Sequence, residues 1–162
     1  MGPLYHLKLE SERTKAVTEA MRVSRRDGVL FSVYLSRYSV LRYAAKVRPA
    51  QLAAAPTFYD SILQNGVGEL GNGFLDTCYC ADPLEIQAFM EGLGLTTLDL
   101  LGCEGVVAEV EDKLNELSGE DFDRWIDLNY RLGRRKELHA ASAHLLHVGR
   151  KNGRSVAGMT AS

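Results

Sequence analysis

The chain has 162 residues, the length of one domain of ordinary size. Hydrophobic residues make up 46% and charged residues 25%, values typical of a folded globular protein and not of a disordered one. The net charge of -2 gives no basic excess, so we do not expect a nucleic-acid-binding protein.

The sequence also gives no sign of a membrane or secretory segment. No apolar run approaches the roughly 18 residues that a bilayer-spanning helix needs. The opening MGPLYHLKLE lacks a basic start followed by a long apolar stretch, so it does not have the pattern of a secretory signal. We therefore expect a cytoplasmic protein without membrane contacts.

The three cysteines are an odd number for a disulfide framework. Cys78 and Cys80 are two residues apart, and a disulfide between such close positions would be strained. No CxxC or HxxxH spacing supports a metal site that would add His139, His144 or His147 as ligands. The sequence predicts ordinary buried thiols and no bound metal.

The first elements predict part of a βαβ unit. Residues 10–25 carry apolar positions at helical spacing, with glutamates at the start and arginines at the end, and this pattern predicts a helix. Asp27-Gly28 ends the helix, and VLFSVYL at residues 29–35 is typical of a strand covered on both faces. The short segment of residues 1–7 cannot supply the first strand of such a unit.

The middle of the chain is less regular. We expect a helix over residues 36–47, one or two short helices over 49–63, and a loop over the four glycines of 65–73. The stretch NGVGELGNG is not a GxGxxG motif between a strand and a helix, so we do not expect it to bind a phosphate or a dinucleotide.

The second half alternates strand and helix patterns. Asp82 is a good N-cap, Pro83 suits the first helical position and Glu85 completes a capping box, so a helix is predicted to begin there. Strands are predicted over residues 74–80, 96–101 and 140–148, helices over 106–117 and from Ser118 to about Gly133, and a flexible polar tail over 152–162.

Four sequence segments carry a family resemblance. They are GPLYHL at residues 2–7, RRDGVLFSVYLSRY at 25–38, DPLEIQAFMEGLGLTTLDLLGCEG at 82–105, and SAHLLHVGRK at 142–151. In order and spacing they resemble the class I S-adenosylmethionine-dependent methyltransferases, specifically the type 11 branch related to ubiquinone and menaquinone biosynthesis enzymes. The resemblance covers most of residues 2–151.

The resemblance implies a fold. Residues 1–151 would form the C-terminal part of a Rossmann-like methyltransferase sheet of the α/β class. This part would contain strands five to seven, with the final strand antiparallel, flanked by helices. The irregular residues 38–73 would form a helical lid over the acceptor.

The resemblance also implies an activity, methyl transfer from S-adenosylmethionine to a small-molecule acceptor. In the family, a glycine-rich loop after the first strand and an acidic residue ending the second hold the donor, and this sequence has neither segment. We expect an incomplete enzyme with weak or no activity alone, completed by a separate N-terminal half or paired as a homodimer. The alternative is a non-enzymatic interaction module, or a self-associating remnant, whose incomplete sheet binds another chain.

By resemblance, the loop at the start of the chain would lie at the edge of the sheet where ligands bind. Gly2 and Pro3 would border the cofactor, and Tyr5 and His6 would face the acceptor. His6 is the candidate base or hydrogen-bond partner. The alternative for His6 is a solvated residue near the chain terminus.

Two further residues follow the predicted fifth strand at the same edge. Arg37 is a candidate for binding an acidic acceptor through a bidentate contact, with a surface charge as the alternative, and Tyr38 is a second substrate-binding candidate. His144 is expected to be a structural member of the last strand.

Overall fold

The computed structural model describes residues 4–71 and 73–152, which contain seven α-helices and four strands. The helices are α1 (Glu10–Val23), α2 (Arg37–Val47), α3 (Gln51–Ala54), α4 (Pro56–Asn65), α5 (Ile86–Gly92), α6 (Glu111–Leu114) and α7 (Gly119–Gly133). The strands are β1 (Val29–Ser36), β2 (Cys80–Ala81), β3 (Leu95–Gly102) and β4 (His144–Lys151). Turns of 3₁₀ helix cover Leu4–His6, Phe74–Thr77, Gly105–Val107 and Lys136–Ala141. The α/β class is as predicted.

The four strands form one mixed sheet in the order β2-β1-β4-β3. Strand β4 runs antiparallel to both β1 and β3, so those two strands are parallel to each other. Strand β2 is parallel to β1 and pairs only with the last two residues of β1, Leu35 and Ser36. Among the described residues no strand continues that pairing along the rest of β1.

Two apolar clusters fix the helices on this sheet. The first lies between the sheet and helices α1 and α5, and inside it the Tyr34 hydroxyl donates a hydrogen bond of 3.0 Å to the Met90 sulfur. The second packs α2 and α4 against the end of β1 and the segment that leads into β2. The first contains Leu4, Val17, Met21, Leu30, Tyr34, Ala81, Ile86, Met90, Leu95, Leu100 and Leu145, and the second Leu35, Val40, Ala44, Phe58, Tyr59, Ile62, Cys78 and Cys80.

The predicted elements of the first half are largely confirmed. The strand of residues 29–35 is β1, but the expected burial on both faces is wrong for its first half, because Val29 and Phe31 are exposed on one face. The first helix ends at Val23, two residues earlier than predicted. There Ser24 leaves the helix with extended backbone, and its hydroxyl donates to the Ala20 carbonyl at 2.7 Å.

The strand predicted over residues 74–80 is mostly wrong. Phe74–Thr77 is a 3₁₀ turn, and only Cys80–Ala81 pairs with β1. The Asp76 carboxylate accepts hydrogen bonds from the backbone N–H groups of Leu70 and Gly73, which fold the chain into a turn at this point.

The helix predicted to begin at Asp82 begins at Ile86 instead. The Asp82 carboxylate accepts a hydrogen bond of 2.9 Å from the backbone N–H of Leu84, which makes a turn and not a helix cap. The capping-box role predicted for Glu85 is wrong as well, because its carboxylate lies 3.6 Å from the Arg37 guanidinium.

Two later boundaries also differ from the prediction. The helix expected over residues 106–117 is interrupted, with Gly105–Val107 as a 3₁₀ turn and only Glu111–Leu114 as α-helix, because the Val110 backbone leaves the helical region at φ -127°. The last strand begins at His144 and not at residue 140, because a 3₁₀ turn precedes it.

The prediction of buried thiols is confirmed for Cys78 and Cys80 and is wrong for Cys103, which is exposed. Cys78 and Cys80 have no exposed surface, and burial raises the pKa of the Cys80 thiol to about 12. None of the helices in the described ranges combines the length and the apolar character that crossing a bilayer requires.

Candidate functional site

The carboxyl ends of β1 and β3 and the start of β4 meet at one edge of the sheet. They meet there because β1 and β3 are parallel and β4 is antiparallel to both. Leu35, near the end of β1, is opposite His144, the first residue of β4, and Gly102, the last residue of β3, is opposite Leu145. Ligands of open α/β sheets bind at this kind of edge.

The opening turn of the chain is fixed beside this edge. The Tyr5 carbonyl accepts a hydrogen bond of 2.7 Å from the backbone N–H of Tyr79, directly before β2. Buried Arg13 donates to the carbonyls of Leu7 and Lys8, both at 2.8 Å, and its guanidinium lies 3.5 Å from the centre of the Tyr79 ring. The start of the described chain is therefore anchored by side chains of α1 and by the approach to β2.

The two residues predicted to face the acceptor lie at this edge. The rings of Tyr5 and His6 have centroids 4.5 Å apart, with Tyr5 half-buried and His6 exposed. The centroid of the Tyr5 ring is 6.4 Å from that of His144. The opening turn and the start of the last strand therefore contribute neighbouring rings to one surface.

A carboxylate–imidazole pair lies at the same place. Glu104 follows β3, and its Oε1 is 2.5 Å from Nδ1 of His144. Its other oxygen accepts hydrogen bonds from the backbone N–H groups of Ala143 at 3.0 Å and His144 at 2.9 Å. Burial acts to raise the pKa of Glu104, but these hydrogen bonds outweigh burial and hold its pKa below the usual value. The carboxylate is therefore ionised and fixed in position.

The loop after β3 is shaped to hold Glu104. Gly105 has a left-handed backbone with φ +64°, and a Cβ there would collide with the Asn129 amide. The Asn129 side chain donates to the Glu104 carbonyl at 3.0 Å, and the Gly105 N–H donates to the buried Ser142 hydroxyl at 2.8 Å. Helix α7 and the turn before β4 thus both contribute to placing the carboxylate.

Arg37, predicted to bind an acidic acceptor, is buried between α2 and the loop before α5. Its guanidinium lies 3.7 Å from the Asp82 carboxylate and 3.6 Å from that of Glu85, and it donates to the Leu63 carbonyl at 2.7 Å. The Tyr38 hydroxyl donates to Asp82 at 3.4 Å. Both predicted substrate-binding residues are therefore partnered by the chain itself, and an acidic ligand would reach Arg37 by displacing the exposed Glu85 side chain.

Two other histidines belong to the interior. His139 and His147 are buried, and Nε2 of His147 lies 3.0 Å from the Thr97 hydroxyl. Burial lowers the pKa of both imidazoles below the ordinary value. Within the described residues no group of three or more His, Cys, Asp and Glu side chains is placed to hold a metal ion.

The buried histidines predict acid sensitivity. Because their folded pKa values are lowered, their stabilising contribution is complete above about pH 6.5 and is lost as the pH falls below it. We expect the free energy of unfolding to fall by up to about 1.4 kcal/mol per pH unit for each histidine. Urea denaturation at about pH 7.5 and 5.5 measures this loss. His147→Gln should reduce the pH dependence, and an unchanged dependence in that variant would contradict the assignment.

The described residues contain no glycine-rich loop that leads from a strand into a helix, the segment that holds S-adenosylmethionine in the resembling family. Gly2 and Pro3, predicted to border the cofactor, lie outside them. In the glycine-rich residues 65–73, a Cβ at Gly66 would strike the Cys80 carbonyl and one at Gly68 would strike the Phe58 ring, whereas one at Gly71 would meet no atom within 4 Å.

No protein-family model and no curated protein matches the chain. The methyltransferase resemblance therefore stays a prediction based on the four segments. In the structure each segment supplies a residue to the carboxyl edge: Tyr5 from the first, Tyr38 from the second, Glu104 from the third and His144 from the last.

The Glu104–His144 pair is the part of the site that sequence reasoning missed. His144 was expected to be structural, and Glu104 was not singled out. The position of Glu104 could have indicated its role. It follows β3, a strand parallel to β1, and therefore lies at the same edge of the sheet as the end of β1.

Proposed function

We propose that the chain is the acceptor-side part of a class I S-adenosylmethionine-dependent methyltransferase domain that acts on a small molecule. The observation that supports this most strongly is the meeting of the four resembling segments at the carboxyl edge of the sheet, around Glu104 and His144. Segments that are separated by up to about 140 residues of sequence have no local reason to converge on one edge of a sheet.

The sheet gives independent support. The resemblance implies strands five to seven with an antiparallel final strand, and β4 runs antiparallel to both of its neighbours. Helices α1 and α5 precede and follow β1 in the chain and pack in the same cluster beneath the sheet. Helices α2, α3 and α4 occupy residues 37–65, the region proposed as the lid.

The role of this part would be to hold the acceptor. Transfer between two bound molecules depends mainly on positioning them in line, which requires a rigid surface on each side. Here the opening turn is held by Arg13 and the Tyr79 backbone, and the Glu104 loop by Asn129 and Ser142. The donor side would come from another polypeptide segment, because the described residues lack the glycine-rich loop that holds the donor in the resembling family.

This proposal predicts that the isolated chain does not bind the donor. Calorimetric titration with S-adenosylmethionine should give no saturable heat, and labelled donor mixed with cell extract should give methylated product at the background rate. An intact methyltransferase assayed in parallel is the positive control. Saturable donor binding by the chain alone would show that the donor site was assigned to the wrong segment.

The converse experiment supplies the donor side. A separate polypeptide that supplies the strand and the GxGxG-type loop of the family's donor site, expressed together with this chain, should give a complex that binds the donor. Failure of the combined polypeptides to bind the donor would contradict the proposal.

A second candidate is a non-enzymatic interaction module, favoured by apolar surface on the open side of the sheet. The side chain of Phe31 is 58% exposed in the middle of β1, and Val29 is 43% exposed. This part of β1 also lacks a partner strand among the described residues. A molar mass that rises with concentration in light scattering, together with absent donor binding, would favour this candidate, and a monomer that binds donor would exclude it.

A further inference from the structure

The Glu104–His144 pair has the geometry of an oriented proton acceptor. We propose that His144, positioned by Glu104, takes a proton from a weakly acidic hydroxyl of a small molecule bound at the carboxyl edge of the sheet. The inference rests on the proposed function only for what the deprotonated oxygen does next.

The hydrogen bonds determine which ring nitrogen is available. The Glu104 carboxylate is a pure acceptor, so at 2.5 Å it requires the proton of His144 to be on Nδ1. The lone pair is then on Nε2. Two backbone N–H groups, from Ala143 and His144, hold the second carboxylate oxygen, so the carboxylate cannot rotate without losing them. This places the basic nitrogen in one orientation.

The second observation is that a ligand can reach Nε2 of His144. The His144 side chain is 42% exposed, and Nε2 has no hydrogen-bond partner among the described residues. The half-buried Tyr5 ring, with its centroid 6.4 Å away, gives a flat apolar surface beside it. His139 and His147 differ in access, because both are buried.

The proposed step is a simple proton transfer. The O–H bond of the ligand breaks, its electron pair stays on the oxygen, and the proton forms a bond with Nε2. The resulting imidazolium is next to the Glu104 carboxylate, which stabilises its charge. The hydroxyl class follows from acidity, because a phenol-like hydroxyl is far more acidic than an alkyl alcohol and gives up its proton to a positioned base more readily.

The test measures the tautomer directly. Nitrogen-15 spectra of the histidine side chains, recorded at alkaline pH, should show His144 with a protonated Nδ1 and a bare Nε2. Addition of phenol as the probe should shift the Nε2 resonance of His144 in a saturable manner. Glu104→Gln should give a mixture of tautomers and weaken phenol binding by about ten-fold, the lower end of the loss seen when the orienting partner of a metal-bound histidine is removed.

Controls separate this inference from folding and from the proposed function. Glu109→Gln removes an exposed glutamate and should leave both signals unchanged. The His144 tautomer is measured in the wild-type protein, so the result holds even if the Glu104→Gln variant folds poorly. The measurement uses no methyl donor, so it is also independent of whether the protein transfers a methyl group. A wild-type His144 with its proton on Nε2, or phenol shifts that do not reach His144, would overturn the inference.

Discussion

Replacing Leu145 with alanine is expected to lower the free energy of unfolding by about 3 kcal/mol. Leu145 is fully buried on β4, the strand that lies between β1 and β3. It belongs to the apolar cluster that attaches α1 and α5 to the sheet. The loss combines the transfer energy of the missing methyl groups with a cavity that surrounding strands cannot close.

Urea denaturation followed by circular dichroism measures the difference. The matched control is Leu98→Ala on the neighbouring strand β3, because the Leu98 side chain is 41% exposed and should lose less than about 1 kcal/mol. Equal losses for the two variants would show that β4 is not the centre of the packed sheet.

The second large effect is expected at Gly66. This residue ends α4 with a left-handed backbone, φ +73°, and a Cβ there would collide with the Cys80 carbonyl oxygen. The Gly66 carbonyl also accepts a hydrogen bond of 2.6 Å from the Cys80 N–H, so the two backbones cannot separate without breaking it. We expect Gly66→Ala to lower the free energy of unfolding by about 2–4 kcal/mol through strain and displacement of β2.

The chain contains a matched control for that substitution. Gly92 ends α5, and a Cβ there would meet no atom within 4 Å. Gly92→Ala is expected to be neutral or to stabilise the protein by up to about 1 kcal/mol, since alanine is the better helix former. The same urea denaturation compares the two variants. A Gly66→Ala protein as stable as Gly92→Ala would contradict the close approach of α4 and β2.

Elements with strong local signals could be predicted from the sequence. Strand β1 is a continuous apolar run, and helices α2 and α4 lie where apolar spacing indicated them. Strand β2 could not be predicted, because it has only two residues and its neighbours are turned by Asp76. Asp82 shows the same limit, since an N-cap and an aspartate turn begin with the same residue types and only the tertiary contacts decide between them.

Some residues of the candidate site could likewise be predicted from the sequence and others could not. The position of Tyr5 and His6 at the sheet edge was expected from the family resemblance, and the described residues of the opening turn do lie there. The partners of Arg37 could not be foreseen, because Asp82 and Glu85 lie more than 40 residues further along the chain. Glu104 and His144 are separated by 40 residues and meet only through the register of β3 and β4.

Everything proposed for this protein depends on one surface that brings together the opening turn, the exit of β3 and the entry of β4. Nuclear Overhauser effects between the ring protons of Tyr5 and His144 measure that meeting most directly. With ring centroids 6.4 Å apart, we predict a resolved cross-peak between the two rings in the isolated chain. A Tyr5 ring with cross-peaks to other regions and none to His144 would contradict the site and the function proposed from it.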